Sequence, residues 1–250
     1  MTHALIIEFH KIKRLRHIRF LLSAIAIIAI LSCAGIVTSG LQIDEHVTRT
    51  TTWADLLLDY TFIATMISPI MVATIVSRQV DIEHNSHGWN MGRSIGITVE
   101  RMCSAKLLML VLLIIPTILL QTLLILGIGY LAHLNGPLSV AHWFSYSGLL
   151  IMVDIGFMAL HIYLSSVVKN QLLSVGLAVL GSFLGAMLMS NTSVIATLTP
   201  WGYYTLIAHV AYLGNHLDYY WPSLWYPIGF LLVSLVVYSI GIHQFARKRK

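Results

Sequence analysis

The chain has 250 residues, of which 57% are hydrophobic and only 10% charged, with a net charge of +5 and a mean hydropathy of +0.81. A soluble domain carries about 25% charged residues, so this balance excludes one and points to a multi-pass membrane protein. The positive charge is gathered at a few points along the chain, which argues against a nucleic-acid-binding surface.

Residues 1–19 come first. Leu5, Ile6, Phe9 and Ile12, with Leu15, recur near helical spacing, and Lys11, Lys13 and Arg14 fall largely outside that stripe. An interfacial amphipathic helix is expected here, its apolar face at the headgroup boundary and its basic residues toward anionic lipid. His3, His10 and His17 share a face; they form either a metal-binding stripe or, more simply, polar residues of the interface.

Six charge-poor stretches follow, at residues 20–38, 57–77, 107–131, 143–168, 172–189 and 224–245. About 20 apolar residues cross a bilayer as a helix, and backbone groups in lipid must be satisfied within their own segment. The expected fold class is therefore an all-α integral membrane domain, a six-helix unit over 20–245 with a basic tail at 246–250. Residues 30–33 loosely resemble a lipoprotein cleavage box. The apolar run continues past Cys33, however, so the first span is read as retained. Cys33 in a span and Cys103 in a loop offer no disulfide framework.

Fourteen of the fifteen lysines and arginines fall before the first span, between the second and third, after the fourth, and at the end of the chain. Basic loops stay on the cytoplasmic side. Both termini and the loop at 80–106 are thus expected in the cytoplasm, beneath a bacterial plasma membrane. On the other side, residues 191–223 hold Trp201, Tyr203, Tyr204, Tyr212, Tyr219, Tyr220 and Trp221 and almost no charge. One or two short helices dipping into the outer leaflet are expected. They form either an aromatic belt or the outward part of a substrate path. Gly181 and Gly185 form a small-xxx-small pair that permits close helix contact.

Several chemistries are missing. There is no Gly-Lys dipeptide and hence no phosphate loop, no H-E-x-x-H and no C-x-x-C. A G-x-S-x-G match at Gly92–Gly96 lacks the strand–turn–helix context that would expose Ser94 as a nucleophile. The chain is not expected to be an enzyme. His84 and His87, three apart, can share a helical face and suggest a metal site, with His161 inside a span as a further ligand or a haem axial ligand. That reading makes the chain a membrane redox or metal protein. Asp154 is the one acid near the middle of a span, with His161 seven residues on along the same face. An intramembrane acid is costly and by default functional. The pair suits substrate contact or proton transfer, or a structural hydrogen bond between helices.

The loop at 80–106 carries an ordered set of residues: Glu83, then Gly88 and Trp89, a helical run, Arg101, and Lys106 opening the third span. This pattern resembles permeases of the ABC-2 class, in particular the lantibiotic-immunity and bacitracin-export type. Val99 and Glu100 stand where that family places a proline. The resemblance implies a permease subunit that binds no cofactor itself. ATP and magnesium would sit on a separate ABC ATPase, and a second permease subunit would complete the pathway. It further implies a short cytoplasmic coupling helix carrying Glu83, Gly88, Trp89, Met91 and Arg93 at the ATPase interface. Trp89 is expected there as an exposed anchor. A lantibiotic or similar membrane-active peptide would be the cargo, with Asp154, His161, Trp201, Tyr203 and Tyr204 as candidate pathway residues. A self-contained secondary transporter fits less well, because no internal repeat is present.

Overall fold

The computed structural model describes residues 2–41, 52–189, 194–213 and 216–248. In chain order the elements are α1 (Thr2–Arg14), α2 (His17–Ser32), its continuation α3 (Ala34–Leu41), α4 (Trp53–Asn85), α5 (Gly88–Ser94), α6 (Val99–Leu131), α7 (Val140–Val167) and α8 (Gln171–Met189). Two short helices, α9 (Val194–Leu198) and α10 (Tyr203–Leu206), lead to a hairpin of β1 (Val210–Leu213) and β2 (His216–Tyr219), and α11 (Trp225–Arg247) closes the chain. Six stretches are long and apolar enough to cross a membrane: His17–Val37, α4, α6, α7, α8 and α11. The protein is an all-α integral membrane domain, as its hydropathy predicts.

α4 and α6 are longer than hydropathy alone marks. Each has 33 residues, about 50 Å at 1.5 Å per residue, against a hydrocarbon core of about 30 Å. Both helices therefore run on past their apolar stretches, and α5 bridges the two extensions. Their starts are written locally. The Thr52 hydroxyl accepts from the Asp55 N–H, and the Asp55 carboxylate accepts from the Thr52 N–H, a reciprocal cap on α4. Thr98 caps α6 by accepting from the Arg101 N–H. Gly96, with φ 81°, turns the chain from α5 into α6 in the left-handed region that glycine adopts without steric cost.

Six crossings return α1, α5 and the last turn of α11 to one end of the bundle, here called the terminal end. α4 is central, packed against α2, α7 and α8, while α7 also meets α6 and α11. α4 and α7 run in parallel and in step: Tyr60 meets Tyr146, Ser68 meets Asp154 and Ser77 meets Ser165. Toward the far end, Tyr60, Trp143 and Tyr146 are fully buried and stack or meet edge-on. Outward faces carry Ile30, Leu180 and Met187 exposed, the apolar surface that lipid requires.

Residues 194–223 do contain two short helices, α9 and α10. They also hold an antiparallel hairpin, Val210 opposite Tyr219 and Ala211 opposite Asp218, which was not expected. The segment folds inward. Trp201 lies in the notch left by Gly181, where a Cβ would stand 1.8 Å from the indole ring. The glycine pair of α8 thus receives a loop tryptophan at Gly181, while Gly185 lies against both Trp201 and Thr65 of α4.

Candidate functional site

Two buried polar centres stand out, one at the terminal end and one half-way along α7. At the terminal end, α1 presents Ala4, Glu8 and Ile12 to the bundle, one face at i, i+4 and i+8, and leaves Ile6 and Phe9 exposed. Ile12 therefore belongs to the inward face and not to the lipid-facing stripe. Glu8 is sealed. It accepts from Lys106 Nζ at 2.8 and 2.9 Å and from Lys11 Nζ at 2.8 Å. Glu83, on α4, accepts from Lys106 at 2.7 Å and also from Lys11. Gln79 extends the cluster, donating to Glu8 at 2.8 Å and accepting from His17 Nε2–H at 2.8 Å. Two carboxylates and two ammonium groups thus alternate in a closed, neutral ring joining α1, α4 and α6. Burial would by itself lower the pKa of Lys11, but Glu8 and Glu83 outweigh it and hold the ammonium above the ordinary lysine value. Lys11 therefore points inward to carboxylates, where the sequence pattern sent it toward lipid.

This ring sets the geometry of α5. A Cβ on Gly88 would stand 1.9 Å from Glu83 Oε2, so only glycine lets α5 start beside that carboxylate. Trp89 is 2% exposed and packs edge-on against Phe245 of α11 (centroids 5.6 Å apart) and His84 (6.0 Å). The expectation of an exposed tryptophan anchor is corrected here. The indole faces the bundle and ties α5 to α11, because the apolar side of so short a helix has the bundle beneath it. Met91 and Arg93 project outward with Ile95, and Met91 and Ile95 are 66% and 65% exposed. A cavity of about 240 Å³ separates α1 from α5, lined among others by Ile7, Lys11, Met91 and Ile95.

The second centre surrounds Asp154, which is fully buried. Its carboxylate accepts from the Tyr204 hydroxyl at 2.6 Å and from the Ser68 hydroxyl at 3.0 and 3.2 Å. Tyr204 arrives on α10, whose backbone is held from α4 by Thr65 donating to the Tyr204 carbonyl at 3.5 Å. Tyr203 stacks on Phe230 of α11 at 4.4 Å and donates to the Thr197 carbonyl at 2.8 Å. Trp201 and Tyr204 both meet Phe157 edge-on. Asp154, Trp201, Tyr203 and Tyr204 are thus brought together. His161 is not part of that set: it pairs with Ser174 at 3.1 Å, and Phe157 lies against its ring.

The histidine constellation does not assemble. His84, in the last turn of α4, donates its Nε2–H to the Ser165 carbonyl at 2.9 Å. His87 sits in the turn before α5 with φ 53°, so the two do not share a helical face. Among the described residues, no group of three or more histidine, cysteine, aspartate or glutamate side chains lies close enough to hold a metal.

Sequence reasoning missed Glu8, Gln79 and Ser68. Glu8 was hidden by its place among apolar neighbours. Its signal is that a lone acid set among the apolar residues of an amphipathic helix needs a partner. The hairpin also had a signal, the turn-forming pair Gly214-Asn215 between two short β-prone runs.

A family model described as an ABC-2 family transporter protein matches residues 4–185, and no curated protein matches the chain.

Proposed function

Since the chain belongs to the ABC-2 family of transporter proteins and is a membrane permease subunit, we propose that it exports a lantibiotic or similar membrane-active peptide and protects its cell from it. Permeases of this family work with an ABC ATPase and a second permease. ATP and magnesium belong to the ATPase, and this chain is not catalytic. The terminal end faces the cytoplasm of a bacterium, because fourteen of the fifteen basic residues of the sequence belong to the segments that the positive-inside rule assigns to that side.

The observation that carries the reading is the mounting of α5. The helix is fixed from within by Glu83, Gly88 and Trp89, and turns Met91, Arg93 and Ile95 outward. An exposed apolar pair beside a basic residue, on a base tied to α4, α6 and α11, suits docking into a groove of the ATPase. Closure of that partner would then move the long helices as a unit. Asp154, Trp201, Tyr203 and Tyr204, with His161 behind them, line the route proposed for the peptide. The decisive test is co-purification of the ATPase with Met91→Asp and Ile95→Asp variants. Loss of the ATPase with an intact permease supports docking through α5; full retention in both variants removes it.

A further inference from the structure

Asp154 differs from every other sealed acid in the bundle. Its hydrogen-bond partners are the hydroxyls of Ser68 and Tyr204, both neutral. The ion pairs among the described residues all lie elsewhere, at Glu8, Glu83 and Glu100. The titratable groups near it are phenols, Tyr60 from α4, Tyr146 from its own helix and Tyr204 from α10, and the imidazole of His161, which is committed to Ser174. α11 contributes Phe230 and Ser234 beside the neighbouring Gly156. A bare carboxylate in such surroundings is far costlier than a carboxylic acid. The acid form fits the geometry: its O–H would donate to Ser68 Oγ while Tyr204 still donates to the other oxygen.

One segment covers this carboxyl: Tyr204 sits on a four-residue helix, between α9 and the hairpin, in a stretch that enters from the far end of the bundle. Phe157, three residues on along α7, meets both Tyr204 and Trp201 edge-on, so the hydroxyl that caps the carboxyl belongs to an aromatic cluster. A carboxylate beside aromatic rings is suited to an organic cation. We propose that Asp154 is a proton-exchanging cation site: it holds a proton while the segment carrying Tyr204 is seated, and when the segment lifts it releases that proton to the water admitted there and pairs as a carboxylate with the cationic group of an amphiphile. The charge balances, one proton leaving as one cation enters. The proposal rests on the reading of this region as the export route and names the chemistry that the route selects.

The test uses the full chain in lipid nanodiscs and dicyclohexylcarbodiimide, which reacts with a protonated carboxyl in an apolar site. The carboxyl proton goes to a carbodiimide nitrogen and its oxygen to the central carbon, with no leaving group. The adduct is read on the peptide containing Asp154 by mass spectrometry. We expect it at neutral pH in the native chain, with a rate several-fold higher in Tyr204→Phe, whose cover is loosened. Dodecyltrimethylammonium should suppress it about tenfold, and dodecanol, with the same tail and no charge, should not. An absent adduct in the native chain and in Tyr204→Phe, with both monodisperse, overturns the proposal, as does equal protection by the two amphiphiles. If Tyr204→Phe does not fold, Ser68→Ala provides the same reading from the other side of the carboxyl. Any of these failures leaves the route itself standing; labelling of Trp201→Cys during ATP turnover by the assembled transporter decides that separately.

Discussion

Glu83 and Asp154 are both carboxylates shut off from solvent, 1% and 0% exposed, and the bundle treats them in opposite ways. Glu83 receives two lysines and shares them with Glu8 in a closed ring. Asp154 receives two hydroxyls. The first arrangement needs its charges: an ion lost from it leaves another buried and unpaired. The second works with none. The location gives a reason for the difference. Glu83 lies where α4 runs beyond the hydrocarbon core and where α1 and α6 can bring ammonium groups to it. Asp154 lies in the middle of α7, and the segment that reaches it brings the Tyr204 hydroxyl rather than a lysine. A fixed brace suits the end that carries α5, and an adaptable contact suits the movement proposed for the segment that carries Tyr204.

The largest test of this contrast is Lys106→Met. It leaves Glu8 and Glu83 with Lys11 alone and should cost about 3–5 kcal/mol, the usual price of orphaning a buried charge, read as a large drop in the thermal unfolding midpoint. Adding Glu83→Gln restores neutrality, so the double variant should be more stable than the sum of the two single losses. Simple additivity would show that the ring is not a unit. Next comes Gly88→Ala, which drives a methyl into the Glu83 carboxylate. About 1–3 kcal/mol is expected from such overpacking, together with weaker ATPase capture, because α5 is displaced. A variant that unfolds and couples like the native chain would deny Gly88 this role.

Tyr204→Phe removes one hydroxyl from Asp154 and should cost about 1 kcal/mol, the scale of a hydrogen bond between neutral groups. A loss of about 3 kcal/mol would mean that the carboxylate is charged in this state. Asp154→Asn should fall within about 1 kcal/mol of the native chain in the same unfolding measurement, because an amide replaces a neutral acid of the same shape. If it destabilises as much as Glu83→Gln does, the contrast between the two sites collapses. The smallest effect on the fold is expected from Met91→Ser, within about 0.5 kcal/mol for an exposed position. Its consequence should appear only as a lower yield of co-purified ATPase.

Several of these sites were legible in part. Asp154 was visible because a lone acid in an apolar span is conspicuous. The set Glu83, Gly88, Trp89 and Lys106 was visible as a pattern, but its orientation was not. Trp89 read as an exposed anchor because polar neighbours surround it in the chain. Its packing against Phe245 depends on a helix that lies 156 residues further on. Lys11 read as lipid-facing for the same reason: neither Glu83, 72 residues away, nor the course of α1 across the bundle is written near it. His84 and His87 suggested one helical face because the break of α4 at Asn85 carries no proline and only a late glycine.

The amino-acid sequence by itself determined the six spans and the gathering of basic residues in a few segments. Each depends on hydropathy or charge within a few residues. Tertiary structure alone decided which charges are paired, which aromatic residues face inward, and that Tyr204 reaches Asp154. Those outcomes rest on how parallel α4 and α7 stand in step and on where α1 and α10 fold back against them. Contacts between residues 23 to 156 positions apart decide them, and no local periodicity records such distances.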